Sequence, residues 1–307
     1  MRLFTGILFL ILTLGLSAQD DGGSLLDLLG EEETTNYATA SFKSTRIINS
    51  SSIENVSEGV LDFRISHRFG RVNSGVQEFF GLDAATIRLG LDYGITDRLM
   101  VGIGRSTVQK AVDGFVKYKL LRQSTGKKNM PITLSLYSSM MINWQDWPEP
   151  DRVNYFSSRL TYTYQLLIGR KFSKSTSLML MPTMVHRNLV ENTSIANDVY
   201  AIGIGGRQKI NSRLAITAEY YYVLPDQVAD IYTNSLSIGV DIETGGHVFQ
   251  LHFTNSLGMM DKQYITETTG KWGEGDIHIG FNVSRVFTLK DRNKDRLEKK
   301  KKEDRYE

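Results

Sequence analysis

The chain has 307 residues, with 36 basic and 34 acidic side chains and no cysteine. The lack of cysteine excludes disulfides and thiolate metal sites. The small basic excess lies in residues 290–307, which carry nine Lys/Arg and six Asp/Glu, so the charge balance gives no sign of nucleic-acid binding.

Residues 1–18 have the pattern of a secretory signal peptide that is cleaved near Ala18. Arg2 precedes an apolar core that ends at small residues. A membrane anchor is the alternative, but an apolar core of about fourteen residues is short for a bilayer span. Beyond it, no stretch approaches the roughly eighteen consecutive apolar residues that a transmembrane helix needs.

Residues 19–58 are predicted to be a periplasmic lead-in. The part up to Tyr37 is acidic and is equally compatible with a disordered linker. Residues 38–48 mix Lys43 and Arg46 with apolar residues, which is compatible with an extra strand or an inner segment.

From residue 59 onward, apolar and polar residues alternate with a period of two, which is typical of strands with one apolar face. In the first block Leu61 and Phe63 lie on one side, while Asp62 and Arg64 lie on the other. Turn residues separate the blocks. The predicted strands lie near residues 59–69, 84–93, 98–106, 112–121, 131–144, 154–169, 176–187, 198–209, 213–224, 233–242, 246–256 and 276–288.

Twelve such strands predict an all-β fold, an antiparallel up-and-down transmembrane β-barrel over residues 59–289, with 10 to 14 strands compatible with the pattern. A charged periplasmic tail, 290–307, follows it. A soluble β-sandwich or lipocalin-like barrel, with apolar faces turned inward, is the alternative. Aromatic residues near strand ends, such as Trp144 and Tyr164, favour the membrane barrel.

The connections alternate in length, which fits short periplasmic turns and long outer loops. The longest loop, 257–275, is therefore predicted to face the exterior. The connection 122–130 is unusually long for a periplasmic turn.

If the apolar faces meet lipid, the alternate residues line the lumen. Because buried charges persist when paired, their near-equal signs predict an ion-pair network. That network either stabilises a filled barrel or selects a charged or polar solute. The candidate lumen-lining residues are Asp62, Arg64, Arg68, Arg88, Asp92, Lys117, Lys119, Arg159, Glu219, Asp241, His252 and His278.

The sequence shows little sign of a catalytic site. His252 and His278 are predicted to lie near each other, with Asn282 and Ser284 on the last strand, but a triad acting on lipid would face outward and these face inward. No catalytic residue, metal ligand or cofactor is predicted. The glycines within residues 202–206 are predicted to make room in a crowded interior or to allow the strand to bend.

Ten short segments carry a resemblance to a known family: 42–46, 65–70, 87–94, 181–183, 185–189, 219–222, 241–253, 266–270, 275–278 and 282–287. Together they resemble a family of Bacteroidetes β-barrel proteins of unknown function, DUF5777. The resemblance covers nearly the whole mature chain and implies a Gram-negative outer-membrane barrel, but no activity. Two of the segments, 42–46 and 266–270, lie outside the predicted strands.

The sequence thus predicts a non-enzymatic, porin-like outer-membrane barrel that passes or binds a small polar or charged solute. The alternative is a structural or docking barrel that holds a periplasmic protein through its loops or its basic tail. A membrane-embedded hydrolase is the weakest alternative. Outer-membrane lipid is the other expected partner, and no nucleic acid is expected.

Overall fold

The computed structural model describes residues 34–190, 192 and 195–290. The predicted signal peptide, the start of the lead-in and the charged tail beyond Lys290 lie outside the described residues.

Twelve antiparallel strands close into a barrel, and two short strands pair with each other outside it. The twelve predicted strands are confirmed, although the sixth begins at Leu160 because residues 156–159 form a 3-10 turn. The strands are β1 (Thr35–Tyr37), β2 (Val60–Arg71), β3 (Ala85–Gly94), β4 (Leu99–Ser106), β5 (Val112–Leu121), β6 (Ser124–Gly126), β7 (Thr133–Ile142), β8 (Leu160–Lys171), β9 (Thr176–Arg187), β10 (Asp198–Lys209), β11 (Leu214–Val223), β12 (Leu236–Thr244), β13 (His247–Thr254) and β14 (His278–Thr288).

Each barrel strand pairs with its neighbours in the chain, and β14 pairs with β2 to close the ring, with Val283 opposite Ile65. The period of two sends alternate residues to opposite faces. On β2, Arg64 and Arg68 are buried inside, whereas on β3 Leu89 is exposed on the outer face. No helix among the described residues is long and apolar enough to span a membrane.

The long inner connection after β5 has a structural reason. Its residues form β6, which pairs antiparallel with β1 at the periplasmic mouth, placing Tyr37 opposite Ser124. The Arg122 guanidinium lies 4.1 Å from the centroid of the Tyr37 ring. This two-stranded sheet fixes the chain just before it enters the barrel.

Residues 41–56 of the predicted periplasmic lead-in lie inside the barrel instead. They form a hairpin, here called the lumen hairpin, in which Arg46 pairs with Ser51. The N–H of Ile47 donates to the carbonyl of Ser50 at 2.9 Å, which closes the tip. The mixed pattern of this segment follows from its position, because both its polar and its apolar side chains meet the barrel wall, except for Lys43, which is exposed and pairs with Glu243 at 2.9 Å. Its buried residues are Ser41, Phe42, Ser44, Thr45, Arg46, Ile47, Ile48, Asn49, Ser50, Ser51, Ser52, Ile53 and Val56.

The long outer loop between β13 and β14 also turns inward. It carries the one-and-a-half-turn helix α1 (Asp261–Thr266), in which Asp261, Tyr264 and Ile265 are buried. The loop starts at the end of the barrel opposite the short turns, but its helix occupies the lumen. The barrel is therefore filled from the periplasmic side by the lumen hairpin and from the outer side by α1.

Candidate functional site in the barrel lumen

Glu219 binds the tip of the lumen hairpin. It lies on the inner face of β11 and is 3% exposed. Its carboxylate accepts the backbone N–H groups of Ile48, Asn49 and Ser50 at 3.2, 2.8 and 3.1 Å, and the hydroxyl of Ser50 at 2.5 Å. Successive N–H groups at a turn form an anion-binding concavity. The buried charge is thus stabilised mainly by the hydrogen bonds of the hairpin tip.

Lys117, on β5, binds the returning arm of the hairpin. Its ammonium donates to the Ser51 hydroxyl at 3.2 Å and to the carbonyls of Ser52 and Glu54 at 2.8 and 2.6 Å. An ammonium has three protons to donate, and all are used. Lys117 therefore binds carbonyl groups of the hairpin, whereas Glu219, of opposite charge, binds its N–H groups.

Two arginines of β2 hold the first arm and the tip. Arg64 donates to the hydroxyls of Ser44 and Thr45 at 2.7 and 2.9 Å. Arg68 donates to the side-chain oxygen of Asn49 at 2.7 Å. Both guanidiniums are almost fully buried, so these bonds replace water that the site excludes.

Two amide side chains complete the polar wall. Gln250 donates to the carbonyl of Ile47 at 2.6 Å, and Asn282 donates to the carbonyl of Ile48 at 2.9 Å. With Glu219 on the N–H groups and these amides on the carbonyls, the backbone of the hairpin tip is hydrogen-bonded on both sides.

Charge pairs within the wall lie beside these contacts and share Arg64 with them. Arg88 binds Asp113 through two bonds, at 3.0 and 2.6 Å, and Arg64 binds Asp62 at 3.0 Å. Near the periplasmic end, Arg207 lies 3.9 Å from Asp241. The predicted network is therefore partly replaced. Arg64 both pairs with Asp62 and binds the hairpin, and Arg207 also pairs with Glu243 at 2.9 Å, while Glu219 and Lys117 bind the hairpin backbone instead of a charged partner.

Most of the predicted lumen residues do lie inside the barrel, with two differences. Arg159 precedes β8 and belongs to an outer loop, where its guanidinium donates to the carbonyls of Asn143 and Gln145 at 2.7 Å each and lies 4.0 Å from the Trp147 ring centroid. Lys119 is half-buried at the periplasmic mouth. The buried ones are Asp62, Arg64, Arg68, Arg88, Asp92, Lys117, Glu219, Asp241, His252 and His278.

The two histidines of the last strands do not form a hydrogen-bonded pair. The register sets Thr254, and not His252, opposite His278. His278 Nδ1 bonds to the carbonyl of Phe69 at 2.8 Å, and neither ring nitrogen of His252 has a partner among the described residues. Because the amide of Asn282 is occupied by the hairpin, these side chains do not form a catalytic triad.

The other side of the lumen is apolar, which the sequence analysis missed. Leu167 on β8, Met179 and Met181 on β9 and Val199 on β10 are all buried on the inner face. They belong to one cluster with the apolar side chains of the lumen hairpin. The sequence does carry a signal of this apolar side. Residues 166–168 and 178–182 are uninterrupted apolar runs, in which both faces of the strand are apolar and do not alternate with polar residues.

Glycines make room for the hairpin on this side, as expected for the glycines of β10. A Cβ placed on Gly169 would lie 2.6 Å from Cδ1 of Ile53, and a Cβ on Gly205 would overlap Cδ1 of Ile47. These two positions fit the hairpin only without a side chain.

Asp261 fixes α1 in the outer half of the lumen. Its carboxylate accepts the hydroxyls of Tyr137, Ser139 and Tyr264 at 2.7, 2.6 and 2.6 Å. The Tyr264 ring packs edge-on against Tyr221, with centroids 5.3 Å apart. Because Asp261 and Tyr264 belong to a loop without periodicity, the pattern of the sequence did not single them out.

A smaller polar contact fastens the outer rim. Asp276 accepts a bond from the Asn73 amide at 2.7 Å and from Arg71 at 3.1 Å. The Asn73 bond, together with the backbone N–H of Lys271, holds the pKa of the Asp276 carboxyl below its usual range.

Cavities lie at both ends of the barrel. An outer cavity of about 740 Å³ is lined by Trp147, Arg159 and the α1 residue Lys262, among others. At the periplasmic end, a cavity of about 500 Å³ is lined by residues that include Lys43 and Asp62. The outer cavity thus reaches α1, and the periplasmic cavity reaches the lumen hairpin.

Residues 42–287 match the model of the membrane bound beta barrel domain family DUF5777. The chain belongs to this family. The resemblance predicted from the sequence is thereby confirmed, and the match covers segments 42–46 and 266–270, which lie in the lumen hairpin and in the loop after α1. As an even-stranded single-chain membrane barrel, this DUF5777 member is a protein of the Gram-negative outer membrane.

The solved structures that match this chain include porins, at low sequence identity and with TM-scores below 0.5. The NanC porin is 12% identical, with a TM-score of 0.47 over 74% of this chain and 98% of that one. The KdgM porin is 10% identical, with a TM-score of 0.44 over 75% and 99%. An outer membrane channel from Pseudomonas putida F1 is 13% identical, with a TM-score of 0.46 over 78% and 100%. Comparison with curated proteins found no match.

Proposed function

We propose that this DUF5777 barrel is a gated channel for a small polar or charged solute. The solute binds in the outer cavity and crosses when the lumen hairpin and α1 move aside. The observation that carries the proposal is the pair of cavities at opposite ends, bounded by α1 on one side and by the lumen hairpin on the other. Passage requires no catalytic step.

The character of the contacts supports a movable closure. The hairpin is held through hydrogen bonds and ion–dipole contacts to side chains such as Glu219, Lys117 and Arg64. In water these groups would be solvated, so a hydrated lumen can replace the bonds one by one. A wall of polar side chains is therefore left lining the path once the hairpin withdraws.

Locking the hairpin tests the proposal. The chain has no cysteine, so Asn49→Cys with Ser237→Cys places two unique thiols where the Asn49 amide now lies 3.1 Å from the Ser237 hydroxyl. A short, reducible bis-methanethiosulfonate reagent then links hairpin to wall. In liposome swelling with arabinose, we expect passage through the unlinked variant, loss of passage on linking, and recovery after reduction.

The matched control shares Ser237. Linking Ser237→Cys to Thr254→Cys joins two wall strands, whose hydroxyls lie 2.9 Å apart, and leaves the hairpin free. Passage should survive in this control. A barrel that is silent in every state, or one that swells equally when the hairpin is linked, would contradict the proposed channel.

The docking role predicted from the basic tail stays a prediction, because residues 291–307 lie outside the described part of the chain.

A further inference from the structure

The barrel wall has a gap between β8 and β9 where a proline interrupts the ladder. The two strands pair from Thr161 opposite Arg187 to Gln165 opposite Thr183, and pairing resumes at Ile168 opposite Leu180 in the same register. The two positions between, at Pro182 and Met181, are unpaired with β8. On its other side β9 pairs with β10 without interruption.

The proline explains the gap. Proline has no N–H, and within sheets it is confined to edge strands and bulges. A closed barrel has no edge, yet Pro182 lies in the middle of β9. Since the ladder to β10 is intact, the missing donor is the one that would face β8.

An apolar groove covers this gap on the lipid-facing side. Its volume is about 510 Å³, and it is lined by Tyr164, Leu166, Pro182 and Tyr200, among others. Exposed Ser138 also lines it, so a small residue lies among large neighbours.

The groove also reaches residues of the lumen face. Tyr137, Gln165 and Thr183 line it, although all three point inward and are buried. Gln165 donates to the Tyr221 hydroxyl at 3.2 Å, while its Oε1 atom is buried and has no hydrogen-bond partner among the described residues. An unsatisfied buried acceptor beside an apolar groove suits a ligand that brings a donor.

The lumen behind the gap is apolar. Leu167 and Met181, at the unpaired positions, belong to the buried cluster on that side. An apolar molecule that crossed the gap would therefore meet apolar side chains and not the charged wall.

We propose that the Pro182 gap between β8 and β9 is a lateral portal through which an apolar molecule carrying a hydrogen-bond donor passes between the bilayer and the apolar half of the lumen. The donor binds Gln165 Oε1. The portal is a second route and does not depend on the polar path between the two cavities.

Thiol accessibility from the lipid phase tests the portal. Met181→Cys places a single thiol at the gap, and Met179→Cys places one on the same strand and face, where the ladder to Gly169 is intact. In liposomes, lipid-soluble N-(1-pyrenyl)maleimide should label Met181→Cys about fivefold faster than Met179→Cys, which is the effect expected of one missing backbone hydrogen bond at the gap. Heat-modifiable migration on gels verifies that each variant is folded.

Restoring the missing donor should close the portal. Adding Pro182→Val to Met181→Cys should slow labelling to the rate of Met179→Cys. If Met181→Cys fails to fold, Leu167→Cys reports on the same gap from β8. Equal rates at the gap and control positions, rates unchanged by Pro182→Val, or equally fast labelling by a charged water-soluble maleimide would each overturn the portal.

The role of Gln165 is tested with two probes of similar size. 2-Naphthol, which carries a donor, should protect Met181→Cys from labelling at several-fold lower concentration than naphthalene. Gln165→Leu should abolish that difference. Equal protection by the two probes in the unchanged Gln165 background would contradict the assigned donor site.

Discussion

The two halves of the lumen wall hold the same hairpin through different interactions, hydrogen bonds on one half and apolar packing on the other. On the polar half, formed by β2, β5 and β11 to β14, charged and amide side chains make directional bonds to the hairpin backbone. On the apolar half, formed mainly by β8 to β10, methionines and aliphatic side chains pack against its isoleucines, with glycines making room. The polar half therefore specifies register, while the apolar half contributes packing that tolerates sliding and opening.

The largest expected effect is on the polar half. Glu219→Gln removes the charge that three backbone N–H groups share and turns a donor toward them. Because bonds to a buried charge are the strong ones, we expect the unfolding free energy in liposomes, measured by urea titration, to fall by about 3 kcal/mol.

The control for this change is Thr217→Val. Thr217 lies on the same strand and face and is equally buried, but its hydroxyl has no partner among the described residues. Its replacement should be near neutral. A loss for Thr217→Val as large as that for Glu219→Gln would show that any change on this face matters, and would remove the special role of the carboxylate.

On the apolar half, Gly205→Ala places a methyl group on Cδ1 of Ile47. Overpacking of this kind costs about 2 kcal/mol, and Ile47→Val should recover part of it by shortening the opposing side chain. The neighbouring Gly206→Ala, where the added carbon lies 3.1 Å from Leu178, should cost less. Additive losses for Gly205→Ala and Ile47→Val, in the same urea titration, would contradict the contact.

A smaller effect is expected at the outer closure. Asp261→Asn weakens three hydroxyl bonds that hold α1, at an expected cost of about 1 to 2 kcal/mol. Because α1 bounds the outer cavity, arabinose passage should rise. The matched variant Asp83→Asn changes an exposed carboxylate of another outer loop that does not line the outer cavity, and should leave swelling unchanged. Unaltered swelling in Asp261→Asn would argue against α1 as part of the closure.

The smallest effect concerns pH at the rim. The pKa of Asp276 is lower in the folded protein than its ordinary value, so its contribution is present above the ordinary value and is lost as pH falls through the folded pKa. Hydrogen exchange of the 271–277 backbone should therefore speed up in acid relative to neutral pH, after correction for the intrinsic rate. Asp276→Asn should remove this dependence, and a persistent one would place its origin elsewhere.

The strands of the barrel could be predicted from the sequence, whereas the lumen hairpin and α1 inside it could not. Strands such as β2 can be recognised in the sequence because neighbouring residues, such as Phe63 and Arg64, face opposite environments and therefore alternate in polarity. The lumen hairpin shows no such alternation, because apolar residues such as Phe42 and polar residues such as Ser50 are both buried against the barrel wall. Glu219 and Lys117 lie inside the lumen, but their partners are backbone groups distant in the chain, which no residue pattern encodes. Arg159 was misplaced because the start of β8 cannot be read to within a few residues.

Hydrogen exchange at the hairpin tip tests the central claim most directly. The claim is that the lumen hairpin is docked on Glu219 within the membrane-embedded barrel. The account predicts that the amides of Ile48, Asn49 and Ser50 exchange as slowly as those of the paired strand residue Thr217. Exchange as fast as that of the turn at Gly245 would contradict it.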